Sequence, residues 1–176
     1  ASMLEGPGGR RREDWEKLES TGILRTRHDH VALDLWPSRS VMFHGMPLST
    51  NRWGMRDIDY ERDKPPGTLR IALLGASVTM GNGVSDGETF EALVENRLNR
   101  ERPLGSETRF EILNFSVDAH GLAQQIAVLD DRVHEFAPDI VIATNYVNEP
   151  DMAERYLWQI AVRGIALPHA EPQDLV

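Results

Sequence analysis

A chain of 176 residues, 40% hydrophobic and 27% charged, is long enough for one domain with a real core and too short for two comfortable ones. Its net charge of −9 argues against a nucleic-acid surface, and the one basic cluster, Arg10-Arg11-Arg12, is followed at once by acids. No apolar run approaches the roughly 20 residues of a membrane-spanning helix, and without cysteine there is no disulfide, thiolate metal site or Cys nucleophile.

Residues 1–65 read as an irregular N-terminal arm, with a helical stretch only near Arg12–Ser20. Aromatics mixed with turn formers predict that this arm packs on the domain through Trp36, Phe43 and Trp53. Lys64-Pro65-Pro66-Gly67 then punctuates the chain, and residues 66–176 form the domain proper.

The pattern becomes regular beyond that point. Arg70-Ile71-Ala72-Leu73-Leu74 is a short apolar run ending at Gly75, the mark of a strand buried on both faces. Phe90, Leu93, Val94 and Leu98 recur at helical spacing, with Ser85-Asp86-Gly87-Glu88 as a capping box ahead of them. Phe110–Phe115 is a second strand. Leu122, Ile126, Leu129, Val133 and Phe136 make one helical stripe, which Pro138 stops. Asp139–Thr144 is a third strand, and Met152, Tyr156, Leu157 and Ile160 line a third helix. Strand then helix, three times over, predicts an α/β fold of three layers, α/β/α, whose parallel, flavodoxin-like sheet carries helices on both faces.

Ligands bind such sheets beyond the carboxyl ends of the strands. The loops there are Gly75–Gly87, Ser116–Gly121 and Asn145–Asp151, and they hold the polar candidates. Ser77 follows the first strand by two residues past Gly75, so its hydroxyl can stand clear of the sheet as a nucleophile; it could equally cap a helix beginning near Val78. A phosphate-cradling loop over Gly75–Gly83 is the other reading, but the Lys-Ser/Thr of a P-loop is missing. Asn148, ahead of Pro150, suits either an N-cap or an amide donor to an oxyanion.

Leu74-Gly75-Ala76-Ser77-Val78-Thr79-Met80-Gly81, then Asn114-Phe115-Ser116-Val117-Asp118-Ala119, then Tyr146-Val147-Asn148-Glu149 resemble, in order, the first three blocks of the SGNH (GDSL-type) hydrolases. Ser49–Asp57 also resembles a segment that precedes the first block in many bacterial members. The resemblance implies an SGNH-type sheet and a serine-dependent ester hydrolase or acyl transferase. Its substrate would be a small acyl ester, with acetylated carbohydrate suggested by the upstream segment, and no cofactor is implied. Ser77 would attack the carbonyl while its own N–H, the N–H at Ala119 and the side-chain amide of Asn148 hold the oxyanion.

Several positions depart from the family pattern. Ala76 stands in place of Asp, Ala119 and Tyr146 in place of Gly, and Glu149 in place of Asp. A backbone donor at Ala119 is expected to survive only if φ there is negative.

The family's base is a His near the C-terminus, three residues after an Asp. Asp131-Arg132-Val133-His134 has that spacing, but it lies late in a helix leading away from the site. His120 is the internal candidate. His28 and His30, around Asp29, look metal-like but lack a third ligand, and His44 and His169 belong to no constellation in the sequence. The expectation is therefore a domain truncated before its Asp and His, with a third strand whose apolar edge lacks a neighbour and invites self-association. The alternative is a catalytically incomplete form that serves as a binding module.

Overall fold

A computed structural model describes residues 16–145 and 149–166. In the arm, a 3-10 turn at Leu18–Thr21 precedes β1 (Leu24–Thr26), β2 (Leu33–Leu35), β3 (Ser40–Phe43) and β4 (Met46–Ser49). The domain follows with β5 (Thr68–Leu74), α1 (Ser77–Met80), α2 (Phe90–Glu101), β6 (Arg109–Asn114), α3 (Leu122–Asp131), a 3-10 turn at Val133–Phe136, β7 (Ile140–Ala143) and α4 (Glu149–Arg163).

The arm is more regular than its sequence suggests. β1 pairs with β2 and β3 with β4, both antiparallel. Strands of three or four residues are too short to display a period of two. The β3–β4 connection is His44-Gly45, with φ of 51° and 76°, the two positive angles of a tight hairpin turn.

Leu18, Ile23, Leu35, Phe43 and Leu48 of the arm form one buried cluster with Met80 and Val117 of the domain. Phe43 thus anchors as expected, and Trp53 packs edge-on against Phe136 at 5.5 Å. Trp36 does not anchor: it is 44% exposed, with the Arg25 guanidinium over its ring at 5.5 Å. A second tie between arm and domain is ionic. Asp34 is fully buried, accepts from Arg25 at 2.8 Å and takes two bonds of 2.9 Å from Arg132, while Arg27 makes two bonds to Asp131.

β5 is the centre of a parallel sheet of order β6-β5-β7. In-register neighbours in a parallel pair share a face. Ala72, Leu74 and Leu113 therefore face one way, into the core made with Ala127 and Val128 of α3 and with Phe115, Val133 and Phe136. On that face Arg70 and Glu111 form a buried pair at 2.7 Å. The remaining donors of Arg70 reach the carbonyls of Glu61, Arg62 and Phe136, so no part of the guanidinium is left to pay desolvation unassisted.

The opposite face carries Leu69, Ile71, Leu73, Phe110, Ile112, Ile140 and Ile142, buried at Leu73, Phe110 and Ile112, whereas β7 is exposed along its whole length, with Ile140 and Ile142 both 44% exposed. Here α2 departs from expectation. Its N-cap is Thr89, without a side-chain cap bond, and Ser85–Glu88 forms only a turn. The apolar residues Phe90, Leu93 and Val94 are exposed, and the inward row is Glu91, Glu95 and Asn99.

That row has a physical purpose. β6 is an edge strand, and its outward N–H groups would otherwise lack acceptors. Asn99 Oδ1 takes the Phe110 N–H at 2.9 Å, Glu95 Oε2 the Ile112 N–H at 2.6 Å, and Asp57 Oδ2 the Asn114 N–H at 2.9 Å. Side chains thus stand where a fourth strand would be. The later stripes are likewise only partly buried: Leu122, Ile126 and Leu157 are exposed, whereas Val133, Phe136, Tyr156 and Ile160 are buried. β7 has β5 on one side and no strand on the other among the described residues.

Candidate active site

β5 delivers the chain to Gly75, where it must turn within a crowded corner. A Cβ at Gly75 would collide with the hydroxyls of Thr79 and Thr144. Those hydroxyls bond each other at 2.6 Å, and Thr144 also donates to the Leu74 carbonyl at 3.2 Å, locking α1 to the ends of β5 and β7. The helix N-cap is Ala76, so Ser77 is its first residue rather than its cap. Ser77 is half-buried, and among the described residues no hydrogen bond is recorded to its hydroxyl. Its N–H, in the first turn, has no intrahelical acceptor.

The turn after α1 is held from below by Arg56, a buried guanidinium that donates to the carbonyls of Gly81 and, at 2.6 Å, Val84. Burial pushes its pKa down, with Asp86 and Glu91 acting against the fall. Asn51, whose Oδ1 accepts from the N–H groups of Trp53 and Met55, shapes the loop that presents Arg56 and Asp57. The Ser49–Asp57 segment is therefore the structural floor beneath the Ser77 turn.

Asn114 is fully buried. It donates to the Thr79 carbonyl at 3.1 Å and accepts from the Ser116 N–H at 3.1 Å, tying the second loop to α1. That loop turns at Val117–His120, closed by the His120 N–H on the Val117 carbonyl at 3.2 Å. Ala119, its third residue, has φ 62°. The expected condition of negative φ is not met. The chain keeps the left-handed path that glycine would take, at a strain of about 1–2 kcal/mol for a residue with a Cβ. Asn148 lies outside the described residues.

Ser77, Asn82, Gly83 and Asp118 line one side of a cleft of about 630 Å³. The arm supplies the other side through Glu16–Glu19, Phe43 and His44. Burial raises the Asp118 pKa, with Glu19 adding to the rise and the Ala119 N–H opposing it. The cleft is thus built jointly by the β3–β4 hairpin, the first 3-10 turn and the two loops at the end of the sheet.

The histidine candidates separate clearly. His120 is buried with Nε2 at 2.9 Å from the Leu33 carbonyl, and burial lowers its pKa to about 4; it braces the arm instead of facing Ser77. The Asp131 carboxylate is committed to Arg27, so the Asp131–His134 spacing carries no dyad. His44, which the sequence links to nothing, lines the Ser77 cleft. Only the Gly after it hints at its hairpin position, and its place in the cleft depends on contacts distant in the chain.

Among the described residues no group of three or more His, Asp or Glu could hold a metal ion, and no helix is long and apolar enough to cross a membrane. No family model matches the chain, and no curated protein matches it.

Proposed function

We propose that this chain carries the nucleophile side of an SGNH-type serine ester hydrolase or acyl transferase, with Ser77 attacking the carbonyl of a small acyl ester. The observation that carries the reading is the seat of Ser77. It opens the first turn of a helix directly beyond the central strand, with no described residue hydrogen-bonded to its hydroxyl, at the wall of a cleft. The first-turn N–H of Ser77 is one donor for the developing oxyanion, and preorganised donors of this kind supply much of the catalysis in acyl transfer. The Asn148 amide is a further donor, assigned through the sequence resemblance, as is acetylated carbohydrate as the substrate; the Ala119 N–H, at φ 62° and bonded to the Asp118 carboxylate, does not meet the condition set for one.

Hydrolysis of p-nitrophenyl acetate by the chain, abolished by Ser77→Ala, is the expected result. Activity that persists in Ser77→Ala would refute the assignment. A second reading has its own support: no described imidazole is hydrogen-bonded to Ser77. It makes the chain a binding module that retains the cleft without turnover. Calorimetric binding of an acetylated sugar, with no acetate released, would favour it.

A further inference from the structure

We infer that Thr144, the residue after β7, is a positioning residue for the nucleophile: its hydroxyl, bonded to that of Thr79, sets the angle at which α1 presents Ser77. The inference rests on the reading of Ser77 as nucleophile and adds to it the group that aims the side chain. α1 is a single turn, Ser77–Met80, and one turn of helix has no stability of its own. Its orientation therefore comes from what its residues hold outside the turn.

Thr79, buried two residues past Ser77, is the best-anchored of them. Its carbonyl accepts from the Asn114 amide at 3.1 Å, and its hydroxyl lies 2.6 Å from that of Thr144. Each hydroxyl has one proton to give. Thr144 gives its proton to the Leu74 carbonyl at 3.2 Å, so Thr79 gives its own to Thr144. A threonine in a helix ordinarily returns that proton to the carbonyl four residues back, here Gly75. Thr79 reaches across to β7 instead, through a corner so tight that a Cβ at Gly75 would meet both hydroxyls. Thr144 is itself a fixed post. Its N–H bonds the Leu74 carbonyl at 2.9 Å, and its own carbonyl accepts from Gln125 Nε2 at 3.0 Å. The turn that carries Ser77 is thus referenced to β7 and, through Gln125, to α3.

The fold makes little demand for this bond. Without the Thr144 hydroxyl, the Leu74 carbonyl keeps the Thr144 N–H. Thr79 can then return its proton to the Gly75 carbonyl, which has a second lone pair beside the one that takes the Val117 N–H. No buried group is left unpaired. What disappears is the tie between α1 and β7, and a nucleophile displaced by about 1 Å attacks roughly 100-fold more slowly.

Single-turnover release of p-nitrophenolate from p-nitrophenyl acetate reads the acylation of Ser77 alone, and its dependence on ester concentration separates the plateau rate from half-saturation. Parent, Ser77→Ala, Thr144→Ala, Thr144→Ser, Thr79→Ala and the double alanine variant are compared well below their melting midpoints. Thr144→Ala is expected to lower the plateau roughly 10- to 100-fold with half-saturation unchanged. Thr144→Ser, which keeps the hydroxyl, should recover most of the rate. Thr79→Ala should slow acylation alike and the double variant no further, because each change removes the same bond. A parental plateau in Thr144→Ala, equal losses in Thr144→Ala and Thr144→Ser, or losses that add in the double variant overturn the inference and leave Ser77 standing. Release by the parent that does not depend on Ser77, or no release at all, overturns both.

Discussion

Replacing Asp34 by Asn tests whether the arm is an integral wall of the cleft or an appendage. Asp34 is fully buried and serves Arg25 and Arg132 directly, with Arg27 at 3.5 Å. Breaking such a buried arrangement from one side leaves cations without their counter-charge and costs about 3–5 kcal/mol. The three arginine side chains are 13–28% exposed, which admits some solvent and places the expectation at the low end, about 3 kcal/mol. At 2–4 °C per kcal/mol for a chain of this size, the melting midpoint should fall by roughly 10 °C.

The pH dependence supplies a second check. Burial alone would raise the Asp34 pKa, but Arg132 and Arg25 together hold it below its ordinary 3.8. A carboxylate depressed in the folded state contributes stability that is complete above the unfolded value and is lost as pH falls through the lower folded value. The gap between parent and Asp34→Asn should therefore be constant at neutral pH and narrow only below 3.8. Urea unfolding of both proteins across that range is the assay. A difference under about 1 kcal/mol at neutral pH, the size of an exposed pair, would refute the account of a buried tie.

Three further outcomes are expected. Gly75→Ala should cost roughly 2–4 kcal/mol, because the added methyl overpacks the corner and breaks the Thr79–Thr144 bond; urea unfolding measures it. Asn99→Leu should leave the Phe110 N–H and C=O without partners, lowering stability by about 2 kcal/mol and speeding hydrogen exchange at the Phe110 amide. His120 should stay neutral through mildly acidic pH, its ring signals in NMR moving only near pH 4. Because its folded pKa lies below the unfolded 6.5, the unfolded chain binds the extra proton first, and His120 should cost stability as pH falls from about 6.5 towards about 4.

The parts legible in the sequence share a physical cause. β5 and β6 announce themselves because buried parallel strands need continuous apolar runs, β7 carries such a run although its residues are exposed, and Gly75 marks the first turn because only glycine fits between two threonine hydroxyls. The α2 stripe misleads for the complementary reason. Phe90, Leu93 and Val94 have helical spacing, but the edge of β6 demands hydrogen-bond acceptors, and Glu95 and Asn99 meet that demand from the opposite side of the helix. The left-handed φ at Ala119 is invisible in an alanine, and the place of His44 in the Ser77 cleft depends on the arm's fold as a whole.

The side chains that close the outer margin of β6 give the sheet a direction. One end is finished: its N–H groups are spoken for by Asp57, Glu95 and Asn99, and a strand arriving there would have to evict them. The other end, at β7, has no strand beside it among the described residues. A strand added in parallel there would set its own following loop beside Thr144, hence beside the Gly75 corner and Ser77. The sheet can therefore gain a neighbour for the Ser77 corner at β7, whereas at β6 the acceptors would have to move first.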